Sequence, residues 1–163
     1  MKSPLILIFL FFFILSNVKA QNTYRNGVVS SADELASNVG ISILKKGGNA
    51  IDAAVGVAFA LAVVFPQAGN IGGGGFMVLH LKDGTNTSID FREKAPLAAY
   101  RDMFLNENGD VIPNLSLRGH LAAGVPGSVA GLLYALNKYG KLNREDVIEY
   151  AIELAEKGFI LTE

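Results

Sequence analysis

The stretch from Ala50 to Val64 constrains this chain more than any other. Ile51, Ala53, Ala54, Val55, Gly56, Val57, Ala58, Phe59, Ala60 and Leu61 make it almost wholly apolar and small. A helix that is apolar all round is buried on every side. Asp52 and Pro66 bracket the run, and it falls short of the roughly 20 apolar residues a bilayer span needs. It is expected to be the central helix of a layered α/β domain, its small side chains letting neighbours approach closely. Asn49 is placed to cap it, with Asp52 in its first turn.

The flanking segments suit such a layer. Val28-Val29-Ser30 is a short strand candidate. Ser31 and Glu34 have the spacing of a capping box ahead of a helix carried by Ala32, Leu35, Ala36, Val39, Ile43 and Leu44. Lys45-Lys46-Gly47-Gly48 closes that helix with cations and a glycine cap. After the apolar helix come four glycines, Gly72 to Gly75, and then a strand from Phe76 to Leu81. Lys82-Asp83-Gly84-Thr85 is a hairpin turn of the Asp-Gly kind. The returning strand, Asn86 to Phe91, puts Thr87, Ile89 and Phe91 on one face.

Residues 98–119 read as irregular surface, with a turn cluster at Asn106-Glu107-Asn108-Gly109-Asp110. A helix is expected from Ser128 to Tyr139, ended by Gly140. A last helix is capped by Asn143, carries Glu145 and Asp146 in its first turn, and ends at Lys157-Gly158.

Composition narrows the function. The 163 residues allow one domain or a piece of one. A net charge of -1 and the absence of any basic run give no case for nucleic acid or an anionic membrane surface. The chain has no cysteine, so it is not a disulfide scaffold. Residues 1–20 read as a signal peptide: Lys2, an apolar run from Leu5 to Leu15, then Val18 and Ala20 as the small or short residues before a cut. Cleavage after Ala20 leaves Gln21 as the new N-terminus and residues 21–163 as an exported chain, periplasmic or extracellular and not stably inserted in a membrane.

Arg92 is the candidate binding residue. It follows the second strand in Asp90-Phe91-Arg92-Glu93-Lys94-Ala95-Pro96, downstream of the glycine run. A guanidinium is a planar, permanently charged fork that grips a carboxylate with two parallel hydrogen bonds. The competing reading is an ion pair with Asp90, Glu93 or another acid. The glycine run is not a phosphate loop, because a helix precedes it, a strand follows it, and no lysine succeeds the glycines. Tight packing between helix and sheet, or backbone approach to a ligand, is expected there instead. His80 reads as a hydrogen-bonded sheet histidine, and His120 has no partner that can be named. No metal-ligand set and no serine-hydrolase elbow is present, and no cofactor is called for. The sequons at Asn86 and Asn114 read as chance.

Several segments, in order, resemble the gamma-glutamyltransferase (glutathione hydrolase) family. They are Lys46 to Ala54, Pro66-Gln67-Ala68-Gly69-Asn70, Gly72 to Phe76, Asp90 to Pro96 and Gly124 to Gly131. The resemblance covers essentially the whole of residues 21–163 and implies an N-terminal-nucleophile hydrolase fold, an αββα sandwich of which this chain supplies the first part, from the large subunit. It implies a precursor that cuts itself ahead of a threonine, whose freed amine then serves as its base. That threonine attacks the gamma-glutamyl carbonyl of glutathione and related compounds, and the acyl group passes to water, an amino acid or a peptide. It also implies that Arg92 binds the α-carboxylate of the gamma-glutamyl group.

The resemblance places the nucleophilic threonine and the small subunit beyond this chain, so no catalytic residue is assigned within it. Thr162 lacks the motif that would follow that threonine. Two alternatives stand beside this reading. One is a relative acting on another acyl substrate, a capsule poly-gamma-glutamate transpeptidase or a cephalosporin acylase. The other is a secreted binding protein without catalysis.

Overall fold

Asp33, rather than Ser31, starts the first helix. The computed structural model of the chain describes residues 24–161, so the expected signal peptide, its cut after Ala20, and Thr162 lie outside the described residues. In α1 (Glu34–Lys45) the Asp33 carboxylate accepts from the Leu35 and Ala36 amides at 2.8 and 3.2 Å. The expected Ser31–Glu34 capping box does not form. Ser31 Oγ instead donates to the Asp33 carbonyl at 2.8 Å and meets Ser37 Oγ at 2.7 Å, bracing the turn from outside. Ala36, Val39 and Ile43 bury the inner face of α1, while Leu35 stays partly exposed.

The second helix, α2 (Ala50–Val64), has the expected limits and a complete capping box between Asn49 and Asp52. It packs against α1 and against α4 (Arg144–Lys157), and more lightly against α3 (Ser128–Tyr139). Ile43, Val55 and Val147 are fully buried where α1, α2 and α4 meet, each contributing about 1.5–3 kcal/mol relative to exposure. The expectation of burial on every side is corrected in part. Ala54 is exposed and Val57, Ala58 and Leu61 are half-buried, and this side of α2 faces an apolar groove shared with residues 26–31. Val28-Val29-Ser30 lies along that groove without a strand partner among the described residues, so it does not register as a strand.

Asp52 does more than cap. It is fully buried, and its carboxylate accepts from the Asn49 amide at 2.6 Å and from the Lys141 and Leu142 amides at 2.9 and 3.1 Å. Asn49 Nδ2 donates to the Tyr139 carbonyl at 2.7 Å. The first turn of α2 therefore fastens the loop between α3 and α4, which begins at Gly140 as expected. Asn143 caps α4 through the Asp146 amide at 2.7 Å.

The hairpin forms as expected, each strand one residue shorter than its expected run. β1 (Phe76–His80) pairs antiparallel with β2 (Asn86–Asp90), Phe76 opposite Asp90 and His80 opposite Asn86. Gly84 turns the hairpin at φ +86°, a left-handed conformation that suits glycine. Met77, Leu79, Thr87 and Ile89 point inward; Phe76 and Val78 point outward and are 64% and 83% exposed. His80 Nδ1 bonds Asn86 Oδ1 at 2.8 Å, the satisfied sheet histidine that was expected. Residues 98–119 are irregular surface, closed at Asn106–Asp110 by a turn whose Asn106 amide donates to the Asp110 carbonyl at 2.8 Å. His120 opens a short 3-10 turn ahead of α3.

Candidate functional site

The glycine run is a docking surface for the segment that carries Arg92. The Gly73 carbonyl accepts from the Gly127 and Ser128 amides at 2.8 and 3.0 Å, joining the loop to the N-terminus of α3. Those amides have no partner inside the helix, so the contact satisfies them. Gly74 lies against the Phe91–Glu93 backbone so closely that a Cβ there would fall 2.6 Å from the Phe91 carbonyl and 2.7 Å from Arg92 Cα. On the other side, Gly131 of α3 receives the Phe91 ring, and a Cβ would collide with it. Lys94 and Val125 exchange both backbone hydrogen bonds, at 3.1 and 2.8 Å. The segment from Asp90 to Lys94 is thus held between the glycine loop and residues 124–131. Of the two expectations for the glycines, close packing accounts for these contacts.

This setting fixes which way each side chain faces. Asp90, Arg92 and Lys94, together with Ile89 and Phe91, line one cleft of about 390 Å³, closed by Val125, Pro126, Gly127, Ala130, Gly131 and Tyr134. Glu93 alternates to the opposite side, against Gly73 and Gly124. Arg92 leaves the sheet two residues beyond β2, as expected. Its guanidinium donates to Asp90 twice, from Nε to Oδ1 at 3.3 Å and from Nη2 to Oδ2 at 3.1 Å, and its backbone amide donates to Oδ1 at 3.1 Å. The Phe76 ring lies beneath it, with Cζ 4.9 Å from the ring centroid. The ion pair with Asp90 is therefore real, and both side chains remain more than half exposed.

The electrostatics follow from these contacts. The hydrogen bond from the Arg92 side chain, then that from its amide, holds the Asp90 carboxyl below the usual carboxylate range. The same hydrogen bond, with the charge of Asp90, pushes the Arg92 guanidinium further up. Arg92 is a fixed cation that can still offer N–H groups to a second carboxylate. Sequence reasoning named Asp90 and Glu93 equally as its partners, but residues two apart on an extended chain share a side and residues one apart do not. It missed Phe76, whose position opposite Asp90 emerges only once the hairpin register is known. Among the described residues, no three His, Asp or Glu side chains group as a metal site.

Similarity to solved structures defines the class. The chain matches Helicobacter pylori gamma-glutamyltranspeptidase with a TM-score of 0.80 and 54% identity, over 86% of this chain and 40% of that one. It matches the Bacillus anthracis transpeptidase enzyme CapD at a TM-score of 0.67 and 36% identity, over 88% of this chain and 42% of that one. The fold is thus the mixed helix-and-strand fold of the gamma-glutamyltranspeptidases. The family model for gamma-glutamyltranspeptidase matches residues 36–163, and the chain belongs to that family. A glutathione hydrolase proenzyme of Pseudomonas sp. (strain A14) is 58% identical over 137 residues, covering 84% of this chain and 24% of the relative. The chain spans about a quarter of the length of the curated relatives it matches.

Proposed function

We propose that this chain forms the N-terminal part of the large subunit of an exported gamma-glutamyltransferase. That enzyme cleaves the gamma-glutamyl bond of glutathione and related compounds and transfers the group to water, amino acids or peptides. Residues 1–20 direct export and are removed, and residues 21–163 act in the periplasm or outside the cell. Arg92 grips the α-carboxylate of the gamma-glutamyl group. The nucleophilic threonine and the small subunit that partners this segment lie beyond residue 163, released by self-cleavage of a longer precursor.

The observation that carries the reading is Arg92 itself. It is a charged fork at the rim of a glycine-braced cleft, within the segment whose resemblance to gamma-glutamyltransferases implies a contact with the substrate carboxylate. A second reading, a relative acting on another acyl substrate, keeps some support from the likeness to the transpeptidase CapD, at lower identity than to the Helicobacter pylori enzyme.

The test is turnover of a gamma-glutamyl anilide. The longer protein that carries this segment should release the aniline, with glycylglycine raising the rate as acceptor. Residues 21–163 alone should release none, because binding groups without a nucleophile form no acyl-enzyme. Turnover by the isolated segment would refute the placement of the nucleophile outside it. N-terminal sequencing of the exported protein should begin at Gln21; material retaining residues 1–20 in the membrane fraction would contradict export by cleavage.

A further inference from the structure

Arg92 has five N–H donors, and the contacts made by Asp90 divide them. Asp90 takes Nε and one hydrogen of Nη2, the side edge of the fork, at 3.3 and 3.1 Å. The second hydrogen of Nη2 and the facing hydrogen of Nη1, which form the end edge, and the remaining Nη1 hydrogen make no hydrogen bond to the described residues. The guanidinium carbon lies over the Phe76 ring, 4.9 Å from its centroid. Phe76 and Asp90 are direct cross-strand partners in the hairpin, so one rung of the ladder supplies both the acceptor and the platform. Asp90 is tied in turn to the Arg92 amide at 3.1 Å, which limits its own rotation.

We propose that Asp90 is a positioning residue for Arg92: with Phe76 it points the Nη1–Nη2 edge at the substrate carboxylate. This rests on the reading of Arg92 as the carboxylate anchor. An exposed ion pair between two flexible side chains adds little to stability. What this pair supplies is direction. A long arginine side chain otherwise loses rotamer freedom on gripping a ligand, and a fork already held loses less per hydrogen bond formed. Asp90 does not compete with the substrate, because a carboxylate can be held end-on while another is held side-on. Glu93 cannot take the role, since it faces Gly73 and Gly124 across the segment.

The experiment uses the full-length precursor after self-cleavage. Kinetics are measured with a gamma-glutamyl anilide and with its 4-aminobutanoyl analogue, which lacks the α-carboxylate. Asp90→Ala should raise KM for the gamma-glutamyl substrate about tenfold, the scale of one weakened charge-assisted contact, with kcat and the melting temperature unchanged. Asp90→Asn keeps one acceptor and should fall between wild type and Asp90→Ala. The kcat/KM for the analogue should not move. Asp90→Ala added to Arg92→Ala should do nothing further, because the residue being positioned is gone. If Arg92→Ala raises KM and Asp90→Ala does not, the positioning role is overturned while the anchor stands. If neither moves KM, the anchor reading falls and the positioning role with it. If Asp90→Ala lowers the melting temperature and harms both substrates alike, Asp90 is a structural residue.

Discussion

The two halves of the described chain treat their charged groups in opposite ways. In the helical half, Asp52 is wholly buried and spends its carboxylate on the amides of Asn49, Lys141 and Leu142. In the hairpin half, Asp90 and Arg92 stay exposed, and the fork keeps donors to spare. The apolar residues divide likewise. Val55, Ile43 and Val147 close a core, while Phe76 and Val78 face outward from the sheet. A carboxylate whose partners are all internal supports the fold. A cation left with unused donors at a rim is available to a ligand. Burial and hydrogen-bond saturation separate the two roles where residue type alone does not.

The largest expected effect breaks the first half. Asp52→Ala removes the acceptor of three part-buried amides and leaves a hole where a fully buried side chain stood, each lost hydrogen bond costing about 1 kcal/mol or more, and it detaches the α3–α4 loop from α2. The full-length protein should lose about 3 kcal/mol or more of stability, read by denaturant melts or as failure to accumulate in soluble form. A shift of under about 1 kcal/mol would show that the loop holds without Asp52. Gly131→Ala comes next, at about 1–3 kcal/mol, because overpacking against the Phe91 ring pushes the Arg92 segment off α3. Unlike Asp52→Ala, it should also raise KM, since the segment it displaces carries Arg92, the proposed anchor.

A pH measurement sharpens the second half. The Asp90 carboxyl, followed by NMR, should titrate below the ordinary carboxylate range, and Arg92→Ala should return it toward that range. Because its folded value is depressed, the tie to Arg92 is present above the unfolded carboxylate value and is lost only as pH falls through the lower folded one. A midpoint unmoved by Arg92→Ala would deny the coupling. The smallest effect belongs to Lys46, whose 2.6 Å contact with Asp146 lies at the surface. Lys46→Ala should barely change the melting temperature, and added salt should erase what change there is.

What could be read from residue order and what could not follow from range. The capping of α2 by Asn49, the hairpin and its turn, and the exit of Arg92 from the sheet are local, set by spacings of a few residues, and all were legible. The reach of Asp52 to Lys141 spans 89 positions, and no local pattern announces it. The open side of α2 was hidden for a different reason. A helix apolar on all faces has no polar stripe to mark its exposed side. Val28-Val29-Ser30 has strand composition, but a strand needs a partner, and none of the described residues pairs with it. The choice of Asp90 over Glu93 was available from extended-chain alternation, a period-two argument applied to the strands but not carried past Phe91.

The central claim is that Arg92 binds the substrate carboxylate. It is tested most directly by comparing wild type, Arg92→Ala and Arg92→Lys in the self-cleaved enzyme on the gamma-glutamyl anilide and its 4-aminobutanoyl analogue. Arg92→Ala should raise KM for the first on the order of a hundredfold, the scale of a lost bidentate charge-assisted contact. It should leave the second unchanged and spare self-cleavage. Arg92→Lys should recover little, because a point charge cannot reproduce the fork. An unchanged KM, or loss of self-cleavage in Arg92→Ala, would contradict the account and leave Arg92 as the structural partner of Asp90.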